Sequence, residues 1–383
     1  MKDTKKFHEK PFDDETLTKL HIFENYTKEW LPTMVMSRSK DFENLYIMDF
    51  FAGPGLDLSG VKGSPLRILE QVNGQISNIF KQKKRVHIIF NEKDSNKYES
   101  LKNNCEQYIF QNKDLGRAIK YNFVEITYKN CDTADIFKEY VNLIKTNTPV
   151  LVFMDQYGVK YLSKEYLDVL FNSHSTDFLY FSSSSFARRF CETKAFQQTF
   201  VITNISELQN CCNSDIHRVL IEQLRKQIPS NSKVKLYPFT IKKGANIYGI
   251  IFGASHPRAF DKFLKTTWEE NGLNGEANFD IDNDLKKQAT LFEERPLKKV
   301  EKFAMQLEEE ILNGNLKNNK DVYDFTLEEG QYYKHANEVV KNLKKRNIIS
   351  YAEKSPQINY EKVYTRNQKI ITFAILKNKI CQK

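Results

Sequence analysis

The sequence predicts an α/β chain: a Rossmann-like, doubly wound sheet followed by a smaller winged-helix-like unit. Three observations carry this. Short apolar runs alternate with helical patterns between residues 45 and 254. The first of these runs ends in a glycine-rich turn. From residue 297 onward the pattern changes to closely spaced helices and a final strand pair.

The elements follow in order. Residues 1–15 read as a loose polar arm. From Thr16 the spacing of Leu17, Leu20, Phe23, Tyr26, Trp30 and Leu31 is helical, with Pro32 near the end. LYIMDFF (45–51) is apolar on both faces, as a buried parallel strand must be. Ser64 and Pro65 suit a helix start, as cap and first-turn residue. Further strands are expected at 85–92, 120–126, 149–155 and 177–182, with helical stretches between them. The segments 233–241 and 246–254 form a hairpin around Lys-Gly. A hairpin at one edge of a parallel sheet points to the methyltransferase variant of the doubly wound fold. The expected domains are an arm at 1–15, the sheet domain at 16–267, a polar linker or insertion at 268–296, and the winged-helix-like unit at 297–383.

Composition bounds the function. The chain of 383 residues has an ordinary globular balance and a formal charge of +9, a basic bias compatible with nucleic acid. No apolar run is long enough to span a bilayer, and the polar start lacks a secretory core. A cytoplasmic protein with no membrane attachment is expected. The six cysteines include no CxxC pair, so no structural zinc site and no other metal site is expected, and the thiols read as free.

Chemistry concentrates at strand ends. DFFAGPG puts Asp49 at the end of the first strand and Phe51, Ala52, Gly53 and Gly55 in the turn behind it. Glycines let backbone approach a ligand closely, and ligands of doubly wound sheets sit beyond the carboxyl ends of the strands. The turn is neither GxGxxG nor a P-loop. The cofactor that suits it is S-adenosylmethionine (AdoMet). Glu92, closing the second strand, can accept hydrogen bonds from ribose hydroxyls. Glu125 and Asp132 are candidates for an adenine amino group, although Asp132 reads equally well as a helix N-cap. Asp155, Gln156 and Tyr157 close the fourth strand, followed by Gly158. There a carboxylate can hold an exocyclic amine while a ring stacks on the base.

The segments KLHIFENYTKEWL (19–31), IMDFFAGPG (47–55), KGSPLRILE (62–70), VFMDQYGV (152–159), IFGASHP (251–257) and VYDFTLEEGQYYKHANEVVKNLKK (322–345) together resemble the three-Cys-motif partner proteins. The resemblance spans nearly the whole chain. It implies a methyltransferase-like core and a three-Cys-motif, radical-AdoMet-like protein as partner. Asp49, Gly53 and Gly55 match that family's first motif, and Asp155, Tyr157 and Gly158 its DPYG-like fourth motif. Gln156 departs from the proline of that motif. The segment also resembles the DPFG of tRNA guanine-N2 methyltransferases, which implies an exocyclic amine of RNA.

Arg188 and Arg189, after the fifth strand, are candidates for phosphate contacts. SSSS (182–185) lacks the GxSxG elbow of a hydrolase, and Ser255 and His256 read as a cap and a structural imidazole. Lys334, Lys341 and Lys345, among other basic residues, crowd one helix of the C-terminal unit, a candidate nucleic-acid surface or protein-interaction face. Two readings result. One is an AdoMet-dependent methyltransferase acting on an exocyclic amine of RNA or DNA. The other is a catalytically degenerate methyltransferase fold serving as a nucleic-acid- or partner-binding subunit, in a phage-defence setting. A metal-dependent nuclease would need Glu269, Glu270, Asp280, Asp282 and Asp284 to cluster.

Overall fold

The computed structural model describes residues 11–156, 161, 163–199, 202–285 and 297–376. Their contacts fall into two compact units, residues 1–256 and 257–383.

In the first unit the strands are β1 (Asn44–Asp49), β2 (Arg85–Asn91), β3 (Val124–Lys129), β4 (Val150–Met154), β5 (Thr176–Ser182), β6 (Lys235–Lys243) and β7 (Asn246–Ala254). The helices are α1 (Asp14–Val35), α2 (Ser64–Gly74), α3 (Ile76–Gln82), α4 (Ser95–Gln111), α5 (Lys113–Lys120), α6 (Thr133–Ile144), α7 (Lys164–Phe171), α8 (Ser184–Phe190), α9 (Lys194–Thr199), α10 (Ile205–Asn210) and α11 (Ile216–Arg225). The sheet runs β3-β2-β1-β4-β5-β7-β6. β1 to β5 pair in parallel, and β7 pairs antiparallel with both β5 and β6. This is the Rossmann-like sheet of class I methyltransferases, as expected from the sequence. Its order reverses between β1 and β4, and that is where the crevice beyond the strand ends opens.

The central strands are buried because their apolar runs carry no polar face. Every residue of β4 is buried, as are Leu45, Ile47 and Met48 of β1. α1 packs its own apolar face inward: Phe23 stacks on Phe153 of β4 at 4.7 Å, and Tyr26 donates its hydroxyl to Asp177 of β5 at 2.7 Å. α1 begins earlier than the spacing suggested, because Asp13 caps it by accepting from Thr16 N. β3 begins later than expected. Residues 113–120 form α5, and Asn122, at φ 59°, turns the chain into the strand.

The second unit contains α12 (Pro257–Glu270), α13 (Lys299–Leu312), α14 (Asn319–Glu328), α15 (Tyr333–Lys345), β8 (Ile349–Ser350), α16 (Tyr360–Val363) and β9 (Ala374–Ile375). β8 and β9 pair antiparallel, and a bridge joins Asn318 to Thr372. Helices α13, α14 and α15 followed by this small ribbon make a winged helix, again as expected. Its core is one stripe per helix: Phe303, Leu307 and Ile311 of α13, Val322, Tyr323 and Leu327 of α14, and Ala336, Val340 and Leu343 of α15. The contacts assign α12 to this unit, whereas the sequence reading ran the sheet domain on to residue 267. Trp268 explains the difference: its ring meets His335, and its Nε1 donates to Gly330 O.

No helix among the described residues is long and apolar enough to cross a membrane.

Candidate functional site

The turn after β1 leaves bare backbone facing the crevice beyond the strand ends. Gly53 and Gly55 stand at φ 66° and 87°, in the left-handed region that side chains disfavour. A Cβ on Gly55 would meet Asn104 Cβ at 3.4 Å, and Asn104 Nδ2 donates to Pro54 O at 2.7 Å. Gly63 N donates to Gly55 O at 2.8 Å, which ties the start of α2 to the turn. Ser64 is not the cap of α2 that the sequence suggested. That position belongs to Gly63, and the Ser64 hydroxyl instead donates to Asp49 at 2.6 Å. Asp49 is fully buried and also accepts from Phe51 N. Burial pushes its carboxyl up to about 7; the bonds from Ser64 and Phe51 pull the other way, and the charges of Asp155 and Glu92 add to the rise.

The end of β2 reaches back to the same turn. Glu92 accepts from Gly53 N at 3.0 Å and from Asp94 N at 2.8 Å. Asn91, wholly buried, donates to Phe50 O and Cys131 O and accepts from Cys131 N. It thereby stitches together the loops after β1, β2 and β3. The sequence places Asn91 with Glu92 at the close of the second strand but assigns it no role, although a polar residue closing an otherwise apolar strand is a visible signal.

Glu125 does not join this group. It sits at the second position of β3, away from the strand's carboxyl end, and is exposed, 2.9 Å from His87 Nδ1. The later start of β3 is the cause. Asp132 caps α6 by accepting from Ala134 N, pairs with Lys93 and accepts from the Tyr161 hydroxyl.

A cleft of about 300 Å³ lies at the turn. Of the residues expected there, Phe51, Ala52, Gly53, Gly55, Glu92, Asp155 and Gln156 line it. Asp49 lies behind Ser64, which does line it. Tyr157 and Gly158 lie outside the described residues, as does Cys381. The remaining wall was not foreseen. Phe12, Thr16, Lys19 and Leu20 come from the start of the chain, Lys97 from α4 and Phe181 from β5. The segment leading into α1 is held in place by Phe12 N, which donates to Asp57 at 2.8 Å, and by an Asp13–Lys243 ion pair.

Lys19 matters most. Its ammonium donates to Asp155 Oδ2 at 2.5 Å and lies 4.5 Å from the centre of the Phe181 ring. The two side chains of the pair are only 11% and 19% exposed. Beside them Gln156 is fixed by accepting from Tyr161 N at 2.7 Å, while its buried Nε2 has no hydrogen-bond partner among the described residues.

The other candidates lie elsewhere. Arg188 donates to the carbonyls of Gln209 and Cys211, binding α8 to the end of α10, and Arg189 donates to Ser185 O. Ser184 and His217 form a fully buried pair at 2.8 Å, with His217 Nε2 on Ile250 O, so substrate has no access to that hydroxyl. On α15, Lys334, Lys341 and Lys345 are exposed and fall on one face with Glu338. Lys344 is spent internally on Tyr351 O and Glu353 O. No group of residues able to hold a metal ion occurs among the described residues, and the five described cysteines are free.

Residues 278–356 match the family model of the GMT-like wHTH domain, a winged helix-turn-helix. Among solved structures, the chain is similar to a Legionella pneumophila protein, with 10% identity and a TM-score of 0.36 over 67% of this chain and 92% of the other. It is also similar to a putative O-methyltransferase from Klebsiella pneumoniae, with 11% identity and a TM-score of 0.29 over 63% and 90%. No curated protein matches the chain.

Proposed function

We propose that the chain is an AdoMet-dependent methyltransferase acting on nucleic acid at an exocyclic amine, with the winged helix as its nucleic-acid-binding element. The observation that carries this reading is the cleft at the switch point of the sheet, where the Gly53–Gly55 turn and Glu92 share one wall and Asp155 stands on another. In this reading Phe51, Ala52, Gly53 and Gly55 hold the methionine end of the cofactor, and Glu92 holds the ribose. Asp49 and Ser64 keep the turn rigid. The bound cofactor supplies an activated methyl group. Asp155, Gln156 and Tyr157 orient the target amine, so that alignment and exclusion of water carry most of the rate. Lys334, Lys341 and Lys345 supply sequence-independent attraction to phosphates. Arg188 and Arg189 lie at the exit of β5, and Arg188, already bonded to two carbonyls, acts there as a brace.

The test is transfer of labelled methyl from AdoMet to mixed cellular RNA and DNA. Incorporation that disappears in Asp155→Ala supports the reading. Cofactor binding with no incorporation into either polymer favours the second reading, a degenerate methyltransferase fold acting as a binding subunit in a defence setting. Two observations lean that way. Gln156 stands where the resembling motif has proline, and Asp155 is already paired with Lys19. In either reading the resemblance to three-Cys-motif partner proteins adds a radical-AdoMet-like protein as the partner to seek by co-purification.

A further inference from the structure

We infer that Lys19 is itself a methyl acceptor, so that the protein modifies its own cleft. The inference rests on the methyltransferase reading above and goes one step past it. Asp155 is the group to which that reading gives the target amine, and the position is already filled. An N–H donor of this chain sits on Asp155 Oδ2 at 2.5 Å, with an aromatic ring 4.5 Å from the nitrogen. A carboxylate and an aromatic face are what a primary amine or ammonium needs to be held and turned.

This is not an ordinary surface ion pair. Both side chains are largely withdrawn from solvent, Lys19 to 11% and Asp155 to 19%. Exposed pairs contribute little and are seldom held in one geometry. Here α1 fixes the lysine stem: Leu20, Phe23 and Tyr26 anchor the helix in the core, and Asp13 caps its start. Lys19 therefore stays in the cleft with Phe51, Gly53 and Gly55, which in the proposed function receive the methyl donor.

The step balances without any further reactant. The Lys19 ammonium gives one proton to Asp155, which passes it to water. The neutral nitrogen forms a bond to the donor methyl as the sulfur–methyl bond breaks. The sulfonium becomes a neutral thioether, and the lysine becomes a methylammonium with its positive charge intact. The product still has N–H groups for Asp155, so the first methylation leaves the pair in place.

The test incubates the full-length protein with deuterated-methyl AdoMet at pH 7 and pH 9, followed by peptide mass spectrometry. The expected result is a labelled methyl group on Lys19. The rate should be independent of protein concentration, as for a step within one chain, and faster at the higher pH. Lys19→Arg keeps the ion pair and should show no label at position 19 or at any neighbouring residue. Asp155→Asn should lower the rate at least tenfold. If calorimetry shows AdoMet bound and the Lys19 peptide stays unmodified at both pH values, the inference fails while the cofactor reading stands. If AdoMet does not bind, both fail together.

Discussion

The two walls of the cleft differ in how far they are satisfied by the protein itself. On the wall after β1 and β2, Asp49, Ser64, Asn91, Glu92 and Asn104 are engaged in hydrogen bonds that hold one glycine turn. On the wall after β4, Asp155 is held by a lysine from the start of the chain, and Gln156 leaves a buried amide group without a partner among the described residues. A finished wall suits a ligand that is always the same. An unfinished one suits a group that arrives, is turned and leaves. Under the proposed function the first wall serves the cofactor and the second the target, so the two roles are separable and substitutions should divide between them.

The largest effect is expected on the finished wall. Gly55→Val puts a β-branched residue at φ 87° against Asn104. Left-handed backbone costs a side chain about 1–2 kcal/mol of stability before any clash. The turn must shift to relieve it, and a binding loss of about 1.4 kcal/mol from that shift lowers AdoMet affinity about tenfold. Calorimetry on the folded variant reads this. An affinity equal to the parent's would remove the turn from the site.

The next effect is a pH dependence. The Asp49 carboxyl is held at about 7 by burial, against 3.8 for the free side chain. The folded chain therefore binds this proton more tightly than the unfolded chain. Its stabilising contribution is complete below the unfolded value and is lost as pH rises through 7. Asp177 is pushed up to about 7 for the same reason, so the two slopes have the same sign. Asp49→Asn should flatten the fall in urea midpoint between pH 4 and pH 7 without abolishing it. A cationic sulfonium in the cleft favours ionised Asp49, so AdoMet affinity of the parent should rise with pH through this range, and that of Asp49→Asn should not.

A smaller effect is expected on the unfinished wall. Gln156→Leu removes the unpaired amide and also the acceptor of Tyr161 N. These changes offset, and stability should stay within about 1 kcal/mol of the parent. AdoMet binding should be unchanged while methyl transfer falls. A matching loss in binding would mean the two walls are not separable.

The smallest effect on the cleft is expected from the second unit. Replacing Lys334, Lys341 and Lys345 together by Ala should leave AdoMet binding unaltered. It should weaken duplex binding and reduce the salt slope by about 0.9 per lost phosphate contact. A slope identical to the parent's would take α15 out of the nucleic-acid interface.

Much of the finished wall was legible because it is local. Asp49, Gly53 and Gly55 lie within one turn, and apolar runs ending in acids marked β1 and β2. The winged helix was legible for a similar reason, since each helix shows its buried stripe within a few residues. The unfinished wall was not. Lys19 and Asp155 are separated by 136 positions, and no local pattern links them. A lysine on an amphipathic helix reads as a solvated face until the sheet order brings α1 over the ends of β4 and β5. Glu125 was misplaced because an apolar run shows that a strand exists but not where it starts, and a shift of a few residues moved the acid from the strand's end to its beginning. Ser64 was seen as a cap because sequence cannot tell a hydroxyl facing its own helix from one facing a buried carboxyl fifteen residues earlier.

The most direct measurement is a calorimetric titration of AdoMet into the full-length protein at pH 8, with Gly55→Val beside it. The expected result is a saturable heat at one site per chain and a raised thermal midpoint, both lost in the variant. No heat and no thermal shift in the parent would contradict the assignment of the Gly53–Gly55 cleft to AdoMet.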